Sequence, residues 1–235
     1  MIKKAALLAA GMVFGLFLVA IAVVYNPFVK THGLSPLTVT ENEVVHLTYS
    51  AAAQDTIVLT NNGESQMAPN PPKVLQLWEP TVRDTTATLN VLEDSRGRTV
   101  GIGVKFSSDS EMTNISTGRA IVDSVWHIYL PGRGSVFIQQ TENYWSYIRD
   151  IVLPAYRSSG DNWRGNWLKN ITDGPGPLGT GWAAGGSGVF AGIDSAAVEA
   201  LSAKAYTVDL GPVAMTGELS IEIPRPEVVP TVEAN

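Results

Sequence analysis

Four stretches of this chain alternate apolar and polar residues with a period of two, and turn residues separate them. TTATLNVLE (85–93) puts Ala87, Leu89 and Val91 on one face and Thr86, Thr88 and Asn90 on the other. TVGIGVKF (99–106) aligns Val100, Ile102, Val104 and Phe106. The polar turn EDSRGR, with Gly97, lies between them, so the pattern predicts a β-hairpin. IVDSVWHIYL aligns Val122, Trp126, Ile128 and Leu130; PGRG then turns the chain and SVFIQQ returns it as a second hairpin. GELSIEI (217–223) closes the domain with Leu219, Ile221 and Ile223 inward. LTVTENEVVHLTY (37–49) and DTIVLT (55–60) are further strand candidates. Many short strands with Gly- and Pro-marked turns predict a mainly β domain, a single antiparallel barrel or sandwich. One or two short helices are expected within it. Thr141–Tyr156 has Trp145, Ile148, Ile151 and Val152 at helical spacing, with Thr141 as N-cap and Pro154 as its end or kink. Asp194–Ala205 is a helix by propensity, capped by Asp194 or Ser195.

The N-terminus reads differently. Ala5–Tyr25 carries no charged residue, and its length spans a hydrocarbon core of roughly 30 Å as a helix. Lys3 and Lys4 precede it and no basic residue follows until Lys30, so the first residues are expected in the cytoplasm and the remainder outside. The expected organisation is a transmembrane anchor at 1–25, a linker at 26–36, and an extracytoplasmic β domain at 37–223. A helical, Trp-rich insertion is expected at 141–178 and a disordered, proline-bearing tail at 224–235. The alternative for 1–25 is a cleaved signal peptide, with Ala20-Ile21-Ala22 as its site and a secreted product.

Composition excludes several chemistries. With no cysteine, disulfides, thiolate nucleophiles and Cys-ligated metals are ruled out. A net charge of −6 without a basic block argues against nucleic acid as partner. The three histidines, His32, His46 and His127, show no metal-binding spacing, so neither a metal nor a cofactor is expected. No G-x-S-x-G occurs. The run GTGWAAGGSGVFAG (Gly179–Gly192) contains G-x-G triplets, yet no strand precedes it and no phosphate-reaching lysine follows. It is expected to be a Gly-rich loop entering a short strand near Gly188–Ala191, where glycine lets another backbone approach.

The order of elements resembles a known family. TTATLNVLEDSRGRTVG looks like a strand, a D-x-x-G-type turn and a return strand. VWHIYLPGRGSVFIQQ looks like a strand, an L-P-G-type turn and a strand. GTGWAAGGSGVFAG is similar to a G-G-T-G-x-F-x-G-x-x-G segment. Together they resemble the allene oxide cyclase and dirigent-like barrels over residues 85–140 and 179–223. The resemblance implies an antiparallel barrel whose apolar interior is either packed or holds a lipophilic ligand. No catalytic motif of that family aligns with this chain.

Two groups of residues are candidates for function. Asp123, His127 and Tyr129 share one face of a predicted strand and are candidate acid–base groups. Asp123 and His127 lie about 13 Å apart along the strand, so a direct hydrogen bond is excluded. Trp145, Tyr156, Trp163, Arg164 and Trp167 are candidates for a ligand or partner surface, the alternative being a lid folded over one barrel end. The leading expectation is a membrane-anchored binding or assembly module, attached through residues 5–25, for a lipophilic ligand, a glycan or an envelope protein. The alternatives are a cyclase- or isomerase-like enzyme on a lipophilic substrate and a structural subunit of a membrane complex.

Overall fold

The computed structural model describes residues 2–25, 35–39, 42–61, 64–65 and 85–224. Most of the expected linker, His32 and the tail beyond Pro224 lie outside the described residues. Helix α1 (Ile2–Val24) is long and apolar enough to cross a membrane, with a mean hydropathy of 2.8 over Lys4–Val24.

The β domain contains β1 (Glu43–Ser50), β2 (Ile57–Asn61), β3 (Glu64–Ser65), β4 (Thr85–Glu93), β5 (Thr99–Asp109) and β6 (Ile121–Leu130). It continues with β7 (Gly134–Asn143), β8 (Asn162–Asn170), β9 (Thr172–Gly174), β10 (Gly181–Gly185), β11 (Ile193–Thr207) and β12 (Gly211–Ile223). Eight strands form a ring in the order β1-β12-β11-β10-β7-β6-β5-β4, and the pair Thr48–Glu93 closes it. Among the described residues all pairings are antiparallel, so the expected barrel is present. β2 pairs with β4, β8 with the second half of β11, and β9 with β7.

The hairpin turns follow from local chemistry. Asp94 Oδ1 accepts from the amides of Arg96 and Arg98, and Gly97 supplies the positive φ that the turn requires. The β6–β7 turn uses Gly132 in the same way.

Three local expectations are corrected. Asp194–Ala205 is not a helix but most of β11, which pairs with β10, β12 and β8. Its alanines favour a helix in isolation, yet Ala197, Leu201 and Ala203 are buried at alternate positions, and tertiary pairing overrides propensity. The glycine run forms its strand earlier than expected, at Gly181–Gly185, and Gly188–Phe190 is a 3-10 turn. The close backbone approach is real: the amides of Ser187 and Val189 donate to the carbonyls of Ser135 and Arg133, and a Cβ at Gly134, Gly186 or Gly188 would collide with that backbone. Phe190 from this run is fully buried, whereas Trp182 stands on the outside with Nε1 donating to Asp194 at 2.6 Å.

The third correction concerns the helix after β7. It starts at Trp145, not Thr141, and Asn143 Oδ1 accepts from the Trp145 amide. Helix α2 (residues 145–157) runs through Trp145–Tyr147, a π-helical turn Ile148–Val152, and Leu153–Arg157. Pro154 neither ends nor breaks it, since the wide π turn lies where the proline ring would otherwise meet the preceding turn.

Two apolar clusters fill the domain. One, inside the barrel, includes Leu47, Leu92, Ile128, Ile138, Phe190 and Leu219. The other joins α2 and β8 to the far parts of β11 and β12 through Ile151, Trp167, Leu201, Tyr206 and Met215.

Candidate functional site

The inward rows of the barrel are not uniformly apolar. On β5 the buried positions are Gly101, Gly103 and Lys105, so Ile102, Val104 and Phe106 face out. On β6 the inward row is Ser124, Trp126, Ile128 and Leu130, and on β7 it continues from Val136 and Ile138 to Gln140 and Glu142. β11 contributes Glu199 and β1 contributes Tyr49. A polar knot therefore sits in the barrel between the two apolar clusters.

Its centre is the Lys105 ammonium. Nζ lies 2.8 and 2.9 Å from the two Glu142 oxygens, and 2.9 and 3.1 Å from those of Glu199. Both carboxylates are fully buried. Glu142 also accepts from Tyr144 OH at 2.7 Å, from Gln140 Nε2 at 2.8 Å and from Ser124 Oγ. Glu199 accepts from Trp126 Nε1 at 3.0 Å, from Gln140 Nε2 and from Tyr49 OH. Thr172 Oγ1 donates to Gln140 Oε1 and accepts from the Glu199 amide.

Two glycines make room for the rings. A Cβ on Gly103 would lie 2.9 Å from the Trp126 ring, and one on Gly217 would overlap the Tyr49 ring. The two rings meet edge to face at 5.0 Å.

Two carboxylates facing one ammonium leave a surplus negative charge in a buried interior. Burial pushes the Glu142 carboxyl above its ordinary range; Lys105 opposes this and Glu199 adds to it. Burial acts on Glu199 in the same direction, but the Lys105 charge and the hydrogen bonds from Tyr49, Lys105 and Trp126 outweigh it and hold its pKa low. Burial works against the Lys105 ammonium as well, but Glu142 and Glu199 together hold its pKa well above the usual lysine range. Desolvation, with Glu199 beside Tyr49 and Glu142 beside Tyr144, raises both phenols far above theirs. The surplus charge is relieved if Glu142 carries a proton.

The candidates from sequence lie elsewhere. Asp123, His127 and Tyr129 point outward from β6, and the His127 ring stacks on Phe137 at 4.5 Å. Asp123 lines an outer groove of about 320 Å³ with Phe106, Val125, Gln139 and Pro175. His46, on β1, pairs at the surface with Glu218 at 3.0 Å. Trp145 and Trp167 are only 4% and 8% exposed, and Trp163 is half-buried against the cluster under α2. Tyr156, at 59% exposure, and Arg164 remain at the surface. The segment expected to be a helical insertion is helical only at 145–157. Trp163 and Trp167 lie on strand β8, which pairs with β11 because its backbone finds ladder partners there, and their rings pack against the cluster under α2. Among the described residues no group of three His, Asp or Glu is arranged to hold a metal ion.

The outward rows carry the second notable feature. The strand registers align Val91–Ile102–Tyr129–Ser135, then Leu89–Val104–His127–Phe137–Ala184, then Ala87–Phe106–Val125–Gln139–Trp182. No Asp, Glu, Lys or Arg occurs in these three rows. Val91, Ile102, Phe106, Val125, Tyr129, Phe137 and Trp182 are 39–54% exposed. Their exposed surface is on the order of 600 Å², at the top of the range for a monomer's largest apolar patch. A second groove of about 280 Å³ adjoins it, lined by Pro175, Pro177, Trp182 and Asp194.

A scan of family models and a search of curated proteins found no match to the chain. Among solved structures, one similar chain is described as a nonspecific heme-binding cyclase that catalyses a 4 + 2 cycloaddition during neoabyssomicin biosynthesis. The likeness has a TM-score of 0.37 and 11% identity, over 80% of this chain and 71% of that one. Similarity at that level carries no inference about activity.

Proposed function

We propose that this protein is a membrane-anchored docking module: a packed barrel, held extracytoplasmically by α1, that presents the outer face of β4-β5-β6-β7-β10 to a protein partner in the envelope. The observation that carries this reading is the uncharged, half-exposed apolar face described above. A soluble monomer gains nothing from leaving such a surface in water. The interior supports the same reading, because its polar groups satisfy one another and leave the outside as the place for recognition. The allene oxide cyclase and dirigent-like resemblance enters at the level of architecture. A photo-crosslinking residue at Phe106 or Tyr129, with Lys204 on β11 as the control position, tests the reading in intact cells. Protein adducts specific to the two face positions are expected. Adducts no more abundant than at Lys204 would overturn it.

A second reading, a cyclase- or isomerase-like enzyme on a lipophilic substrate, is favoured by one observation. A cavity of about 330 Å³ at the β1–β4 seam is lined by Val91, Thr48, Glu93 and Tyr49, and the Tyr49 hydroxyl bonds to Glu199 in the knot. Saturable uptake of an apolar dye, blocked by Val91→Trp, supports this reading; absence of uptake removes it.

A further inference from the structure

The docking-face reading leaves the partner open, and this inference rests on that reading: we infer that the partner is a second copy of this chain, held by paired anchors and by the outer barrel face. Three observations carry it.

The first is area. A standard protein interface buries about 800 Å² on each partner. The apolar residues exposed on the adjacent strands β5, β6 and β7 present on the order of 450 Å², more than half of such a patch, and a polar rim supplies the rest. The second and third rows cross five strands and the first crosses four. The part of the ring that one copy can present to another is its middle, where Ile102, Phe106, Val125, Tyr129 and Phe137 lie side by side on β5, β6 and β7.

The second is charge. The chain carries a net charge of −6. Two like-charged copies repel, and they meet at least cost through a face that has no charge of its own. Glu93, Asp123 and Asp194 lie at or beyond the margins of this face and stay hydrated at the rim. A strongly basic partner would instead call for carboxylates inside the patch, and there are none.

The third lies on another element. Helix α1 carries Gly11 and Gly15 four residues apart, and a Cβ at either would meet nothing within 4 Å. Gly-x-x-x-Gly on an apolar helix lets two helix backbones approach closely and pair within a bilayer. Anchors paired in one bilayer keep two barrels at high effective concentration. A face of modest affinity then suffices.

The cysteine-free chain gives a clean test. Single variants His127→Cys, Phe137→Cys and Lys204→Cys are made in the full-length chain, oxidised in native membranes, and separated without reductant. Gly11→Leu/Gly15→Leu is combined with His127→Cys. The expected result is a band at twice the chain mass for His127→Cys and Phe137→Cys, at least tenfold stronger than for Lys204→Cys. The anchor variant should weaken that band severalfold. A face-specific adduct of another mass overturns self-association and leaves the docking face standing. A linkage within one chain, for example after cysteine is added in 66–84, overturns the second copy as occupant. Equal, weak bands at all three positions overturn both this inference and the docking reading. The native mass of the detergent-extracted chain provides an independent count: a dimer is expected, and a monomer at all concentrations refutes it.

Discussion

Replacing Lys105 by methionine isolates the interior knot. Methionine keeps an unbranched stem of similar length, so it opens little cavity and removes chiefly the charge. Lys105 faces two carboxylates that are fully buried and within 3.1 Å of its ammonium. Removing one partner of a buried ionic network costs about 3–5 kcal/mol, because the remaining charges are left uncompensated. For a chain of this size 1 kcal/mol shifts Tm by roughly 2–4 °C, so the expected loss is about 6–20 °C at pH 7. Without the lysine, both carboxyls have folded-state pKa values above their unfolded ones. Their favourable contribution is then present below about pH 4.3 and lost as pH rises. The deficit of Lys105→Met should therefore shrink between pH 7 and pH 5. Adding Glu199→Gln removes the surplus charge and should recover a substantial part of the loss. Thermal and urea unfolding of the detergent-solubilised chain, followed by tryptophan fluorescence, measures all three quantities. A cost under about 1 kcal/mol at pH 7, or a deficit that grows on acidification, would refute the ionic account.

Other predictions follow from packing and titration. Gly217→Ala drives a methyl into the Tyr49 ring and should cost about 1–3 kcal/mol by urea unfolding, whereas Gly97→Ala meets only φ strain. Trp167→Ala empties a buried site under α2 and should cost about 3–5 kcal/mol, with faster hydrogen exchange concentrated in β8 and α2. In the native chain the low folded pKa of Glu199 makes its contribution present at neutral pH and lost as pH falls through that pKa. The high folded pKa of Lys105 makes its contribution present at neutral pH and lost as pH rises through it. Stability should therefore decline below about pH 4 and above about pH 10, measurable as Tm against pH.

The strands were legible in the sequence because period-2 alternation survives without any knowledge of partners. The two hairpins, β12 and the barrel class follow from it directly. What alternation does not reveal is which face turns inward. On β5 the apolar row Ile102, Val104 and Phe106 reads as core, yet the inward row is Gly101, Gly103 and Lys105. The glycines are there because Trp126 and Leu130 of β6 and Leu92 of β4 occupy the space beside them, a fact that only tertiary pairing reveals. The knot was missed for the same reason. A signal was nevertheless present on β7, where the parity of Val136 and Ile138 runs on into Gln140 and Glu142. Glu199 was hidden by the alanine-rich composition of β11, which imitates a helix. Asp123, His127 and Tyr129 share one strand face, as the alternation indicates, and that face belongs to the barrel exterior.

The most direct test of the docking face is hydroxyl-radical footprinting of the full-length protein in native membranes. Tyr129, Phe106, Phe137 and Trp182 are 44–50% exposed on the isolated chain, and Tyr156, at 59%, serves as the internal standard. The account predicts that the four face residues are oxidised severalfold more slowly than Tyr156 in membranes, and that dispersing the chain to monomers in detergent restores their rates. Reactivity in membranes equal to that of Tyr156, unchanged on dispersal, would contradict it.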